Sequence, residues 1–269
     1  NKNQLQFNCD ILKNIIDILF VACHYSKRYS NSDLFLKKQY NNDTTYIINH
    51  INYLKNNTKK DIVTKFIQNI LEEDNECKID INNMMYLWKY YIDSINIPNV
   101  LFNEPLKNLL QEELKFENNM FLNVTSKFLP NVSTFLLFWD QTITNTNEIT
   151  EFEISELKEL FNIWIKQNNN QNCRLKEVQI YSILKHYHND LIIENKKFII
   201  NIKSSMWDKI QEIKNSLDDF KIYILQETDE DVIKCQTIYK IYNYYIKSNK
   251  NDYLISKRYY EMYIKYHLS

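Results

Sequence analysis

Glycine is absent from all 269 positions of this chain. That excludes every phosphate cradle that needs glycine for close backbone approach, the P-loop and the dinucleotide fingerprint among them. Turns must be built from other residues, and Asn, the non-glycine residue that best tolerates left-handed backbone, stands where turns are expected. Proline is limited to Pro98, Pro105 and Pro130. No run approaches the roughly 20 apolar residues of a membrane span, and Lys13 and Asp17 interrupt the apolar pattern between Ile11 and Cys23. The five cysteines, Cys9, Cys23, Cys77, Cys173 and Cys235, are scattered, odd in number and form no C-x-x-C pair. Reduced thiols in an intracellular, cytoplasmic protein are therefore expected. Charge of one sign is lacking too, the net being -1. This weighs against a dedicated, uniformly basic nucleic-acid binder.

Hydrophobic residues make up 44% of the chain and aromatics 14%, enough for a packed core rather than a disordered tail. The bias towards Asn, Lys, Ile and Tyr resembles that of an AT-rich genome, so N-x-S/T matches such as those at Asn42, Asn123 and Asn131 are expected to be chance. A first residue of Asn rather than Met points to a fragment of a longer protein.

Helical periodicity dominates. Leu12, Ile15, Ile16, Leu19 and Cys23 fall on one face of a first helix, and Ile62, Phe66, Ile70 and Leu71 on the inner face of another that Thr58 can cap. The acidic run 72–76 is expected to be a solvated linker. Met84, Trp88, Tyr91, Ile92 and Ile95 predict a buried stripe, followed by a loop with Pro98 and a helix over 103–114 with Pro105 in its first turn. The most apolar element, 124–143, predicts a core helix capped by Ser126 and burying Val132, Phe135, Leu136 and Trp139, and then a linker over 142–150.

The stretch 153–207 reads as helix, polar loop, helix and two short apolar runs joined by a turn at 194–197, the outline of a winged helix. Its first helix predicts Ile154, Leu157, Phe161, Trp164 and Ile165 inward. Its second predicts Val178, Tyr181 and Leu184 inward, with Lys176, Gln179, Ser182 and Lys185 outward. A long helix over 205–224, with Ile210, Ile213, Leu217 and Ile224 on one side, leads to a C-terminal helix-loop-helix. Laid on that last piece without a gap, the middle unit places Asn162, Ile165, Lys166, Asn168, Asn170, Lys176, Ile183 and His186 on Asn243, Ile246, Lys247, Asn249, Asn251, Lys257, Ile264 and His267. A second gapless alignment, towards the N-terminus, matches Met84, Trp88, Tyr91 and Ile92 with Leu157, Phe161, Trp164 and Ile165. Three related helix-turn-helix-like units follow, only the middle one with a complete wing.

The expected fold is mainly α: a helical bundle, then tandem helix-turn-helix or winged-helix-like units with one small β-hairpin. The expected pieces are 1–77, 78–146, 147–209 and 210–269. A helix-turn-helix reads DNA with its second helix while flanking cations hold phosphates. The candidate contacts are Arg174, Lys176, Gln179 and Lys185 on the middle helix, Lys196 and Lys197 at the wing, and Lys257, Arg258 and Lys265 in the last unit. From Lys234 onward that unit carries six Lys and one Arg against Asp252 and Glu261, with nine tyrosines. Individually these tyrosines are expected to pack in a core rather than to stack on bases.

No catalytic residue, metal site or cofactor is expected. His186 and His188 lie on different faces of a helix, Cys23-His24 lacks a third partner, and Asp218-Asp219 belongs to a solvated face. The runs VTSKFLPNVSTFLLFWDQTI, EISELKELFNIWIKQ with its winged sequel, and YNYYIKSNKNDYLISKRYYEMYI resemble the C-terminal region of giant-virus, poxvirus-type superfamily 3 primase-helicases. The resemblance spans 84–269 and rests on helical packing patterns. It implies a non-catalytic DNA-binding accessory domain of a replication enzyme, with the upstream helicase domain or other replication proteins as partners and a viral factory in the cytoplasm as its location. The family's ATP-binding motifs have no matching positions here. The alternative is a helical protein-interaction scaffold without nucleic-acid contact. Neither reading involves a membrane.

Overall fold

With no glycine available, eight described residues take positive φ, and six of them are Asn: Asn96, Asn118, Asn119, Asn123, Asn195 and Asn201. Ser30 and Lys196 are the others. These positions lie mostly where chain reversals occur, as the tolerance of the Asn side chain for left-handed angles requires. The computed structural model describes residues 14–31, 34–35, 38, 45–168, 173–227, 238–249 and 253–268. Cys9, Ile11, Leu12, Lys13, Asn42, Asn170, Lys234, Cys235, Asn251 and Asp252, named above, lie outside them. Among the described residues no helix is long and apolar enough to cross a membrane.

The protein is mainly helical with small antiparallel sheets. It divides into two compact units, 1–81 with 87–124, and 82–86 with 125–269. In the first, α1 (Ile15–Tyr29), α2 (Thr45–Asn56) and α3 (Lys59–Ile70) precede β1 (Glu72–Asp80), α4 (Ile81–Ser94), α5 (Asn103–Glu113), β2 (Phe116–Glu117) and β3 (Met120–Thr125). Thr58 caps α3 as expected: its hydroxyl accepts from the Asp61 amide at 3.2 Å, and the Asp61 carboxylate accepts from the Thr58 amide at 2.8 Å. Ile62, Val63 and Phe66 are buried, with Phe66 edge-on to Trp88 at 5.4 Å. The Trp88 indole donates to Asn99 Oδ1 at 3.0 Å, so the ring can be buried without an orphaned N–H.

The first unit corrects several expectations. The acidic run is not a linker but most of β1, at the edge of a sheet ordered β1-β3-β2. Carboxylates on an edge strand discourage pairing with other chains, which is why a strand can carry that composition. The middle unit is then not alone in having a hairpin, and the fold holds more than one. β2 and β3 pair Glu117 with Met120 around Asn118-Asn119, both left-handed, the two-residue turn that usually calls for glycine. Finally, Ile15, Ile16, Leu19 and Cys23 of α1 are exposed, and only Tyr29 of that helix is buried. Periodicity marks which side of a helix could be buried, not whether anything covers it.

The second unit contains α6 (Leu129–Thr142), β4 (Ile143–Asn145), β5 (Glu151–Glu153), α7 (Ile154–Gln167), α8 (Glu177–Tyr187), β6 (Ile193–Glu194), β7 (Phe198–Ile200), β8 (Ile202–Ser204), α9 (Lys209–Glu227), α10 (Ile238–Ser248) and α11 (Lys257–Leu268). The apolar α6 is a core helix, with Phe135 and Phe138 against Phe161 of α7 at 5.2 and 5.3 Å. Its boundary residue is Phe128 rather than Ser126, and Leu136 is only half-buried. The expected linker after it contains β4, paired with β8, and is followed at once by β5, paired with β7. All five residues expected inward on α7 are buried.

The repetition is visible in the elements themselves. Laying Met84 on Leu157 carries α4 onto α7 end for end. Laying Asn162 on Asn243 carries the last residue of α7 onto the last of α10, and α8 onto α11 with their ends coinciding except that α11 begins one position early. Each of the first two copies runs helix, strand, helix, helix, hairpin, with its sheet in the order first, third, second strand, and the second copy adds a separate β4-β8 pair. The third copy keeps only the helices among the described residues. Its tyrosines are core: Tyr242, Tyr245, Tyr259, Tyr260 and Tyr263 are buried, while Tyr239 and Tyr266 are exposed. Their hydroxyls are satisfied inside, Tyr245 donating to Glu212 at 2.6 Å and Tyr242 to the Ile255 carbonyl at 3.0 Å.

Candidate nucleic-acid interface

The second helix of the middle unit starts because Lys176 N–H donates to Gln179 Oε1 at 2.9 Å, closing its first turn. Gln179 is thus partly committed to the cap. Arg174 and Lys176 are exposed just ahead of α8, Arg174 between buried Cys173 and Leu175, and Lys185 is exposed in its last turn. The face assignment of α8 is corrected in part. Ile180, Ile183 and Leu184 point inward, Tyr181 and Ser182 are half-buried, and Val178, expected inward, is 74% exposed. Its outer side therefore presents cations around a bare β-branched side chain.

The hairpin lies across the sheet from β5. Lys197 N–H donates to the Glu194 carbonyl at 2.9 Å, and Asn195 and Lys196 both take left-handed φ between them, so the Lys196 side chain sits exposed on the turn. Lys197 is exposed but ion-paired with Glu153 at 2.8 Å, which holds its ammonium above the usual range. In the last unit Lys257 is ion-paired with Glu261 at 3.7 Å and lies over the Tyr239 ring. Arg258 is committed more deeply, to Glu151 at 3.1 Å and Glu194 at 2.5 Å, with its guanidinium 4.1 Å from the Phe198 ring centroid. Lys265 is exposed and lines an open groove with Met262 and Tyr266. Leaving Lys265 aside, the candidate cations in no ion pair among the described residues are Arg174, Lys176, Lys185 and Lys196.

The matching helix of the first unit has the opposite character. α5 exposes Glu104, Glu112 and Glu113, with Lys60 of α3 held by the last two at 3.5 and 3.1 Å.

No family model, curated protein or solved structure matches this chain. Its chemistry has to be read from the side chains. Among the described residues no group of three or more His, Cys, Asp or Glu could hold a metal ion. His188, whose pKa burial lowers, instead packs against Trp139 at 5.1 Å.

The second unit also holds a buried polar hub that helical periodicity could not show. Lys209, at the start of α9, is 4% exposed, and its ammonium donates to Glu156 Oε2 and Oε1 at 2.8 and 3.0 Å and to the Glu151 carbonyl at 2.7 Å. The faces of Phe152 and Tyr259 lie 4.5 Å from it. Burial lowers the Lys209 pKa, and the Glu156 carboxylate opposes that drop. Glu156 also accepts from the amides of Glu153 at 2.7 Å and Ser256 at 2.6 Å, joining α7, β5 and the start of α11.

Glu151 is buried beside this pair, and burial raises its carboxyl pKa above the ordinary 4.5 despite the pull of Arg258 and then Lys209. The folded state therefore holds the proton more tightly than the unfolded chain. The contribution of this group to stability is complete below its unfolded value and declines as pH rises through the folded one. Measured against Glu151→Gln in urea unfolding, the natural chain should be relatively more stable at about pH 5 than at about pH 7. A difference that moves the other way would mean that Arg258 and Lys209 outweigh burial.

Proposed function

We propose that this chain is a nucleic-acid-binding module in which the middle unit, a winged helix, makes the main contact through α8 and its wing. The observation that carries this reading is the exposed set Arg174, Lys176, Lys185 and Lys196, in no ion pair among the described residues, at the start of α8, along it and on its wing, against the acidic equivalent helix α5. Cations already neutralised by carboxylates release few counterions on meeting phosphate, whereas free ones do so fully. Val178, exposed among them, has the apolar character that contacts a thymine methyl in the major groove. Lys265 and Tyr266, exposed on α11, add a further basic and aromatic pair. On the resemblance described above, the module is the accessory end of a viral primase-helicase, working beside an upstream helicase domain.

Fluorescence anisotropy with labelled single-stranded and duplex DNA across a salt series tests the reading. Binding should weaken steeply with salt, with a log–log slope of about -3 to -4 for four phosphate contacts on duplex. Undetectable binding at low salt, or binding indifferent to salt, would sink it. A second reading, a protein-interaction scaffold, is favoured by one observation: Ile16, Leu19, Phe20 and Val21 of α1 are exposed together.

A further inference from the structure

The wing is built from very little. β6 has two residues and β7 three, and isolated two-stranded hairpins of this size are marginal in water. Its sheet is closed by β5, with Glu153, Phe198 and Glu194 directly opposite one another across the order β5-β7-β6. Paired residues share a face of a sheet, so these three present one face, and Glu151, two residues along β5 from Glu153, joins it. Arg258 of α11 meets that same face. Its guanidinium lies 4.1 Å from the Phe198 ring centroid on the central strand, and one nitrogen reaches Glu194 Oε2 on one outer strand at 2.5 Å and Glu151 Oε2 on the other at 3.1 Å. A single side chain from the last helix thus spans all three strands. Glu151 is 1% exposed, so the arginine is anchored at a buried carboxylate, and Glu194, beside the turn, is the exposed end it holds.

From this geometry we infer that Arg258 is a positioning residue for the wing: α11 fixes the hairpin from outside, and Arg258 itself contacts no nucleic acid. The placing of Lys196, two residues from Glu194, then depends on the C-terminal helix pair. A guanidinium suits this task because its planar, delocalised charge lies over an aromatic ring while one nitrogen meets both carboxylates. Lysine, a compact charge, would lack the planar stack on Phe198.

Amide hydrogen exchange on the intact chain tests the inference without any ligand, and only its binding arm rests on the function proposed above. Arg258→Gln should speed exchange across 193–200 by about tenfold or more while the α7 core is unchanged. Glu194→Gln, at an exposed position that tolerates change, should speed the same segment less, and the double variant should be no faster than Arg258→Gln. No change in the hairpin, or equal acceleration throughout the unit, overturns the inference; if Arg258→Gln fails to fold, the Glu194→Gln result decides. In the DNA assay Arg258→Gln should weaken binding with the salt slope unchanged, whereas Lys196→Gln should make the slope shallower by about 0.9. A slope that falls for Arg258→Gln as it does for Lys196→Gln would make Arg258 a phosphate contact and also overturn it. If no variant and not the natural chain binds DNA, the proposed function fails while the exchange result still decides this point.

Discussion

Glu156→Leu lowers the stability of the second unit by about 3–5 kcal/mol, Lys209→Met by less, and the two substitutions combined recover part of the loss. The asymmetry follows from what each variant leaves behind. Without Glu156 the Lys209 ammonium stays buried with the Glu151 carbonyl and aromatic faces against it and the Glu151 and Glu153 carboxylates acting on it only through space, and the amides of Glu153 and Ser256 lose their acceptor. Without Lys209 the Glu156 carboxylate keeps those two amide donors, which hold a carboxylate well. Removing both charges and filling the volume with apolar atoms takes away the desolvation cost together with the attraction, and such replacements are often neutral or stabilising. Urea unfolding of the four chains closes the cycle. If the two single losses simply add, the pair is uncoupled and the hub does not join β5, α7 and α9 as its distances imply.

Neutralising Arg174, Lys176, Lys185 and Lys196 together to Gln weakens binding to duplex DNA by about a hundredfold or more near 50 mM salt, and flattens the salt slope by about 3.6. The same number of neutralisations among paired cations, at Lys60, Lys197, Lys257 and Lys221, changes the slope by less than about 1. The contrast is what makes the comparison informative, since both variants lose four positive charges overall. A response that tracks net charge alone would assign binding to a diffuse field rather than to α8 and the β6–β7 hairpin. Retention of the fold is checked by circular dichroism, because the Gln179 carboxamide still closes the α8 cap when residue 176 changes.

Much of this protein could be read along the chain, because the information is local. The spacing of Ile154, Leu157, Phe161, Trp164 and Ile165 specifies α7 and its buried side, and the absence of glycine assigns the reversals to Asn, as Asn118, Asn119 and Asn195 bear out. The gapless alignments of α4 with α7 and of α8 with α11 hold because each copy repeats the same local pattern. What remained hidden depends on partners distant in sequence. β1 is a strand because it pairs with β3, two helices further along the chain, and no feature of an acidic run announces that. Lys209 and Glu156 have the look of surface residues until a separation of 53 positions is closed and each neutralises the other. Arg258 reads as a phosphate contact in a basic tail, yet the fold delivers it to two carboxylates and a ring. Sequence alone determined which segments are helical, where they turn and which copies are related, since periodicity and turn chemistry act over a few residues. Only the tertiary structure decided which charges are spent inside the molecule and which remain on its surface, because burial and pairing are properties of what the chain folds against.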